Sequence, residues 1–238
     1  MLGVRAVIFD MYKTLVPNPE EGWINLFKEI CNTQLFTVDP VGLYREWKKL
    51  EEKFRRTRQN LEEPDKSPPF KRYEEAWRDC FKQVFCEIGL EGDASYAAKA
   101  AVKSMTIQDV FDDVPRALAS IQQRYSTAIL SNADDDFLFP LLESTGMEFR
   151  TVLSSEMVKA YKPHPAPFMR IMEMMDIKPN EAVYVGDNQF DDVKGAKSVG
   201  MFTVWLNRNG NTLDESIPKP DYEVTSFDDL PGILKRHT

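Results

Sequence analysis

Hydrophobic and polar positions follow two rhythms along the chain. Short apolar runs occur at Ala6 to Phe9, Thr127 to Leu130, Ala182 to Val185, Phe202 to Trp205 and, more weakly, Tyr222 to Val224. Between them lie candidate helices at Pro115 to Gln123, Phe137 to Gly146, Ala166 to Met175, Asp191 to Val199 and Phe227 to Lys235. Strand alternating with helix predicts right-handed βαβ units and an α/β core built on a Rossmann-like parallel sheet. From Glu21 to Met105 the rhythm is almost wholly helical. Leu43, Trp47, Leu50 and Phe54 make a stripe, Arg72 to Ile88 is amphipathic, and Ala94 to Met105 can form a third helix. Pro64, Pro68 and Pro69 keep the first two apart. The pattern predicts a core of residues 1–16 and 107–238, interrupted by a helical-bundle cap over 17–106.

Composition narrows the setting. The 238 residues, 42% hydrophobic and 29% charged, are ordinary for a globular protein with one large core or a core plus an insert. The net charge of -8 gives no basic footprint, so no nucleic-acid partner is expected. No apolar run approaches the ~20 residues that span a bilayer, and Met1 to Arg5 leads directly into a strand. No membrane association and a cytoplasmic setting are expected. Cys31, Cys80 and Cys86 lack CxxC spacing and read as reduced, packed thiols; His164 and His237 are too scattered for a His/Cys cage. A metal here would be held by oxygen, which favours magnesium. Trp23 and Phe27 suit either a cap core or a dimer contact, so monomer and homodimer both stand.

The chemistry gathers at strand ends. Asp10 follows the run Ala6 to Phe9, at the carboxyl end where open α/β sheets place their sites, and a carboxylate there can act as a covalent nucleophile. Ser131 and Asn132 follow the next run and offer a hydroxyl and an amide to an anion. Lys162 precedes Pro163. The segment VYVGDNQFDDVKGA, Val183 to Ala196, ends a strand at Gly186 and places Asp187 and Asp192 around a strand-to-helix turn. That spacing suits a metal ligand with a companion that orients either the ligand or a lysine. Gly186 permits close backbone approach and Gly195 close packing of the helix.

Asp10 with Thr14, Ser131 with Asn132, Lys162, and Asp187 with Asp192 stand in order at successive strand ends. This set resembles the haloacid dehalogenase superfamily of aspartate-nucleophile hydrolases, with its helical cap inserted after the first motif. The resemblance spans essentially the whole chain. It implies Asp10 as nucleophile and Thr14, Ser131 and Asn132 as binders of the anionic group of a small substrate. Lys162 would hold the charges together. Magnesium would be coordinated by Asp10, the main-chain carbonyl of Tyr12 and Asp187, with Asp192 alongside.

Two positions pull in opposite directions. The superfamily's phosphatases carry a second Asp two residues after the nucleophile, which protonates the leaving group; here Tyr12 stands there, as in the 2-haloacid dehalogenases. Those dehalogenases dispense with metal and typically carry Ser and Asn at the positions of Gly186 and Asp187. Tyr44, Arg45 and Trp47 through Phe54 resemble the cap helix whose Arg receives halide and carboxylate; an exposed Arg on an amphipathic helix reads equally well. Three readings follow: a magnesium-dependent phosphohydrolase on a small metabolite, a 2-haloacid dehalogenase, or a non-catalytic anion-binding scaffold.

Overall fold

A computed structural model describes residues 3–236 and divides them into two compact units. His237 lies outside the described residues.

The first unit comprises residues up to 17, 108–132 and 145 onward. Its sheet contains β1 (Ala6–Phe9), β2 (Ser126–Ser131), β3 (Thr151–Ser154), β4 (Ala182–Gly186), β5 (Phe202–Leu206) and β6 (Tyr222–Val224). The order is β3-β2-β1-β4-β5-β6 and every pairing is parallel. The four inner strands β1, β2, β4 and β5 are almost wholly buried, as strands covered on both faces must be, which is why they read as apolar runs. β1 is central, and the order reverses beside it, so its carboxyl end opens at the switch point of the sheet. Phe9 lies level with Ile129 on one side and Val185 on the other, which puts Asp10 at the height where both neighbouring strands also end.

One face of the sheet is covered by α8 (Pro165–Met175) and α9 (Gly195–Ser198), whose Phe168, Ile171 and Ala196 pack with Ile8, Leu130 and Tyr184. On the other, Phe9 meets Phe227 at 5.4 Å between ring centroids, beside α5 (Val114–Gln122) and α10 (Leu230–Lys235). Each such buried side chain contributes about 1.5–3 kcal/mol relative to exposure.

The second unit comprises residues 18–107 and 133–144. Its helices are α1 (Glu20–Thr33), α2 (Pro40–Thr57), α3 (Tyr73–Glu87), α4 (Ala94–Ser104) and α6 (Asp135–Thr145), while the short α7 (Ser155–Val158) belongs to the first unit. Asp39 caps α2 through the N–H groups of Val41 and Gly42, and Asp93 caps α4. An aromatic centre holds the bundle: Trp23 stacks on Trp47 at 5.2 Å, Phe27 lies 5.3 Å from Phe81, and Trp77 stacks on Phe137 at 5.7 Å. Trp23 and the fully buried Phe27 thus serve the core of this unit.

Three expectations change. Ala133 to Ser144, which the alternation of elements assigns to the sheet domain, packs with the helical unit because Phe137 faces Tyr73 and Trp77. Asp134 fixes it there, accepting hydrogen bonds from Tyr73 N (2.9 Å) and Glu74 N (3.0 Å) at the start of α3. β3 escapes sequence analysis because a four-residue edge strand carries too few apolar positions to show a period. Among the thiols Cys31 and Cys80 are buried but Cys86 is exposed, since α3 turns it away from the Cys80–Phe81–Val84 stripe.

An ion pair between Arg208 and Asp113 ties distant segments of the first unit together. Arg208 grips both oxygens of Asp113 (2.7 and 2.9 Å), lies 4.0 Å over the Phe111 ring and donates to the Thr14 carbonyl (3.1 Å). Asp113 also accepts from Ser226 Oγ and Phe227 N. Burial alone would raise its pKa, but Arg208 and the Phe227 and Ser226 bonds outweigh this and hold it below the ordinary carboxylate value. A depressed folded-state value means stability present above the unfolded pKa and lost as pH falls through the folded one. Asp113→Asn is therefore expected to cost about 2 kcal/mol at pH 7. Urea unfolding at pH 7 and pH 3 should show that cost shrinking at the lower pH; an equal cost at both would show that the charge contributes nothing.

Candidate active site

Asp10 leaves β1 with its N–H bonded to the Val185 carbonyl (2.9 Å), which pins the first residue beyond the strand to the neighbouring β4. The chain then turns sharply: Leu15 N and Val16 N both bond to the Met11 carbonyl, and Lys13 N to that of Val16. Lys13 takes φ +64°, a left-handed conformation costing a side-chain-bearing residue about 1–2 kcal/mol. The turn buries Thr14 completely and leaves its hydroxyl without a partner among the described residues. An orphaned buried hydroxyl four residues after the carboxylate fits the expected anion ligand.

Lys162 reaches the same place. Its ammonium contacts Asp10 Oδ1 at 2.9 Å, Asp192 Oδ1 at 2.6 Å and the Tyr184 hydroxyl at 2.8 Å, and the residue is only 2% exposed. Burial would lower its pKa, yet the charges of Asp10 and Asp192 outweigh burial and keep it a cation well above its usual range.

Asp10, Asp187 and Asp192 offer carboxylate oxygens all within 4.8 Å of one another. Burial, then the charges of Asp192 and Asp10, push Asp187 well above the ordinary carboxylate range. Burial likewise raises Asp192, against the pull of Lys162. Three carboxylates against one buried ammonium leave a surplus of negative charge when all are ionised, offset only in part by the exposed Lys13, and a divalent cation with oxygen ligands fills such a deficit. The donor set therefore fits magnesium.

The segment after β4 divides its labour finely. A π-helical turn, Gln189–Lys194, opens on Asn188, whose side chain accepts from Phe190 N and Asp191 N. Asp192 accepts from Asn188 N through Oδ2 while Oδ1 faces Lys162 and Tyr184, so both of its oxygens are engaged and it acts as the lysine's partner. Gly186 is required for this: a Cβ there would overlap the Asp192 carboxylate. Gly195 is met in the same way by the Phe168 ring.

Asn132 lies at the site, with its side chain bonded to the Lys162 segment and to Asp191. Its Oδ1 accepts from Lys162 N (2.8 Å), and its amide donates to the Lys162 carbonyl (3.1 Å) and to Asp191 Oδ2 (3.2 Å). The side chain is thereby occupied in holding the Lys162 segment. Ser131 closes β2, 2% exposed. Tyr12 is pushed well above its ordinary pKa by burial and by Asp10, so it stays a neutral phenol. Arg45 is an exposed residue of α2 in the helical unit. His164 caps α8 by accepting from Ala166 N.

Sequence reasoning misses Tyr184, Asp191 and Arg208. Tyr184 and Arg208 look like core and surface residues, and Asp191 is overshadowed by its neighbour. The doubled acid at Asp191 and Asp192 is the one signal that was available.

The comparisons agree with this geometry. The model of the haloacid dehalogenase-like hydrolases matches residues 4–200. Haloacetate dehalogenase H-2 of Moraxella sp. (strain B) is 28% identical over 239 residues, covering 98% of this chain and 99% of its own. The N-acylneuraminate-9-phosphatase of Mus musculus is 28% identical over 138 residues, 56% of each chain. In structure, the L-2-haloacid dehalogenase of Xanthobacter autotrophicus superposes with a TM-score of 0.76 at 22% identity, covering 99% of this chain and 100% of that one. With the family model matched over most of its length, and Asp10, Lys162 and the Asp187–Asp192 cluster gathered in one site, the chain belongs to the haloacid dehalogenase-like hydrolases.

Proposed function

We propose that the chain is a magnesium-dependent phosphohydrolase acting on a small phosphorylated metabolite with a good leaving group, such as an acyl phosphate. The observation that carries this reading is the surplus of carboxylates over ammonium at Asp10, Asp187, Asp192 and Lys162. A metal-free displacement has no use for Asp187 in a raised-pKa, self-repelling position. Gly186 supports the reading, because a Ser at that position would drive its side chain into Asp192.

Asp10, the Tyr12 carbonyl and Asp187 would hold the ion. When bound it supplies charge neutralisation for an attacking carboxylate and an incoming anion. Lys162 fixes Asp10 through Oδ1, leaving Oδ2 to attack phosphorus. The new O–P bond forms an aspartyl phosphate as the bond to the leaving group breaks. Thr14 and Ser131 receive the anionic oxygens. Water then attacks phosphorus, phosphate departs and the Asp10 carboxylate is restored.

Tyr12 limits the leaving group. A neutral phenol beside a carboxylate is a poor proton donor, since the phenolate it would leave is buried next to a negative charge. An acyl phosphate releases a carboxylate and needs no proton, whereas an alkyl phosphate does.

A second reading, a 2-haloacid dehalogenase in which Asp10 attacks carbon and halide leaves, is favoured by Tyr12. The full-length match to a haloacetate dehalogenase supports it too.

Hydrolysis of acetyl phosphate and para-nitrophenyl phosphate, with magnesium and with chelator, beside chloride release from L-2-chloropropionate, separates the two. Magnesium-dependent loss of acetyl phosphate, abolished in Asp10→Asn, is expected; chelator-resistant chloride release would overturn the phosphohydrolase reading. Tyr12→Asp should raise turnover of a poor-leaving-group phosphomonoester by about 10²-fold or more, because it restores a general acid. Turnover left unchanged in a folded variant would show that proton transfer is not what limits the protein.

A further inference from the structure

Lys162 is gripped at both ends. At its tip, the ammonium carries three hydrogens, and three acceptors meet them: Asp10 Oδ1 at 2.9 Å, the Tyr184 hydroxyl at 2.8 Å and Asp192 Oδ1 at 2.6 Å. At its main chain, the Asn132 side chain closes on both the N–H and the carbonyl, and Asp191 takes a further hydrogen bond from the Asn132 amide. A lysine side chain normally carries about 2 kcal/mol of rotamer entropy, and here every degree of that freedom is removed. A residue that reached out to a substrate would need a donor to spare.

Tyr184 is the unexpected member. It lies in the middle of β4, 1% exposed, with its ring edge-on to Phe168 at 5.1 Å. Packing alone would be satisfied by Phe. The hydroxyl instead accepts from Lys162 and directs its own hydrogen toward the Leu130 carbonyl (3.0 Å) and Asp192 Oδ1 (3.1 Å). It thus joins three parts of the site: the Leu130 carbonyl of β2, the lysine and the acid of the π turn.

We propose that Tyr184 is a positioning residue that, with Asp192, fixes the Lys162 ammonium as a stationary charge against Asp10, while Asn132 backed by Asp191 fixes the lysine's main chain. Lys162 then acts on the nucleophile and is not a ligand swung onto the substrate. This rests on Asp10 being the nucleophile, as in the reading above. A Phe at 184 would fill the same volume and leave one ammonium hydrogen without its acceptor.

The test uses the full chain labelled with ¹⁵N-lysine, with the Lys162 ammonium signal assigned by its loss in Lys162→Met. In the parent its hydrogens should exchange slowly with water; in Tyr184→Phe exchange should accelerate about tenfold or more, as for a donor that has lost its acceptor. On whichever of acetyl phosphate or L-2-chloropropionate the parent turns over, kcat should fall about tenfold with KM within about twofold, the pattern of a misplaced group that does not bind substrate. Unchanged exchange, or a raised KM at constant kcat, would overturn the proposal. Should Tyr184→Phe not fold, Asp191→Ala carries the same two readouts through the Asn132 clasp, and unchanged values there overturn it equally. A parent that turns over neither substrate would sink the two proposed activities alone, because ammonium exchange still decides the positioning role.

Discussion

The site depends on one buried ammonium placed among carboxylates. Ion pairs taken out of water seldom stabilise a fold, because desolvation consumes much of the attraction. Lys162 compensates only part of the charge on Asp10, Asp187 and Asp192, and burial pushes the last two toward their neutral forms. An arrangement that raises the energy of its own acids stores electrostatic demand. A cation or an incoming polarised group relieves that demand, which is the sense in which perturbed groups mark function.

Backbone geometry makes the arrangement possible. Parallel strands ending close together bring Asp10 level with Leu130 and Gly186, with Ser131 one residue beyond, although they stand far apart in the chain. A Cβ-less residue at 186 lets the Asp192 carboxylate come against the strand. The π turn then lets two consecutive acids serve different partners, Asp191 the amide of Asn132 and Asp192 the tip of Lys162.

The sheet was largely legible in the sequence because buried parallel strands write themselves as apolar runs, and the position of Asp10 in the carboxylate cluster because such a run ended there. The edge strand β3 was not, since four residues bear too little pattern. Asn132 was legible as a site residue but its clasp on the chain was not, because its bonds to Lys162, thirty positions away, leave no mark in the sequence. Tyr184 was hidden for the opposite reason. Its ring obeys the rules of a core position so well that its hydroxyl drew no notice.

The path of the chain has a consequence for how this protein can be taken apart. Because Ala133 to Ser144 packs with the helical unit, the chain passes between the two units at residues 17, 107, 132 and 144. Excising 18–107 and bridging the gap would not yield a minimal sheet domain. It would strip Phe137 of Tyr73 and Trp77, and Asp134 of the α3 backbone it caps. In such a deletion the apolar side of α6 becomes an adhesive surface, so the shortened protein is set to aggregate unless the helix that follows β2 is removed with the other helices.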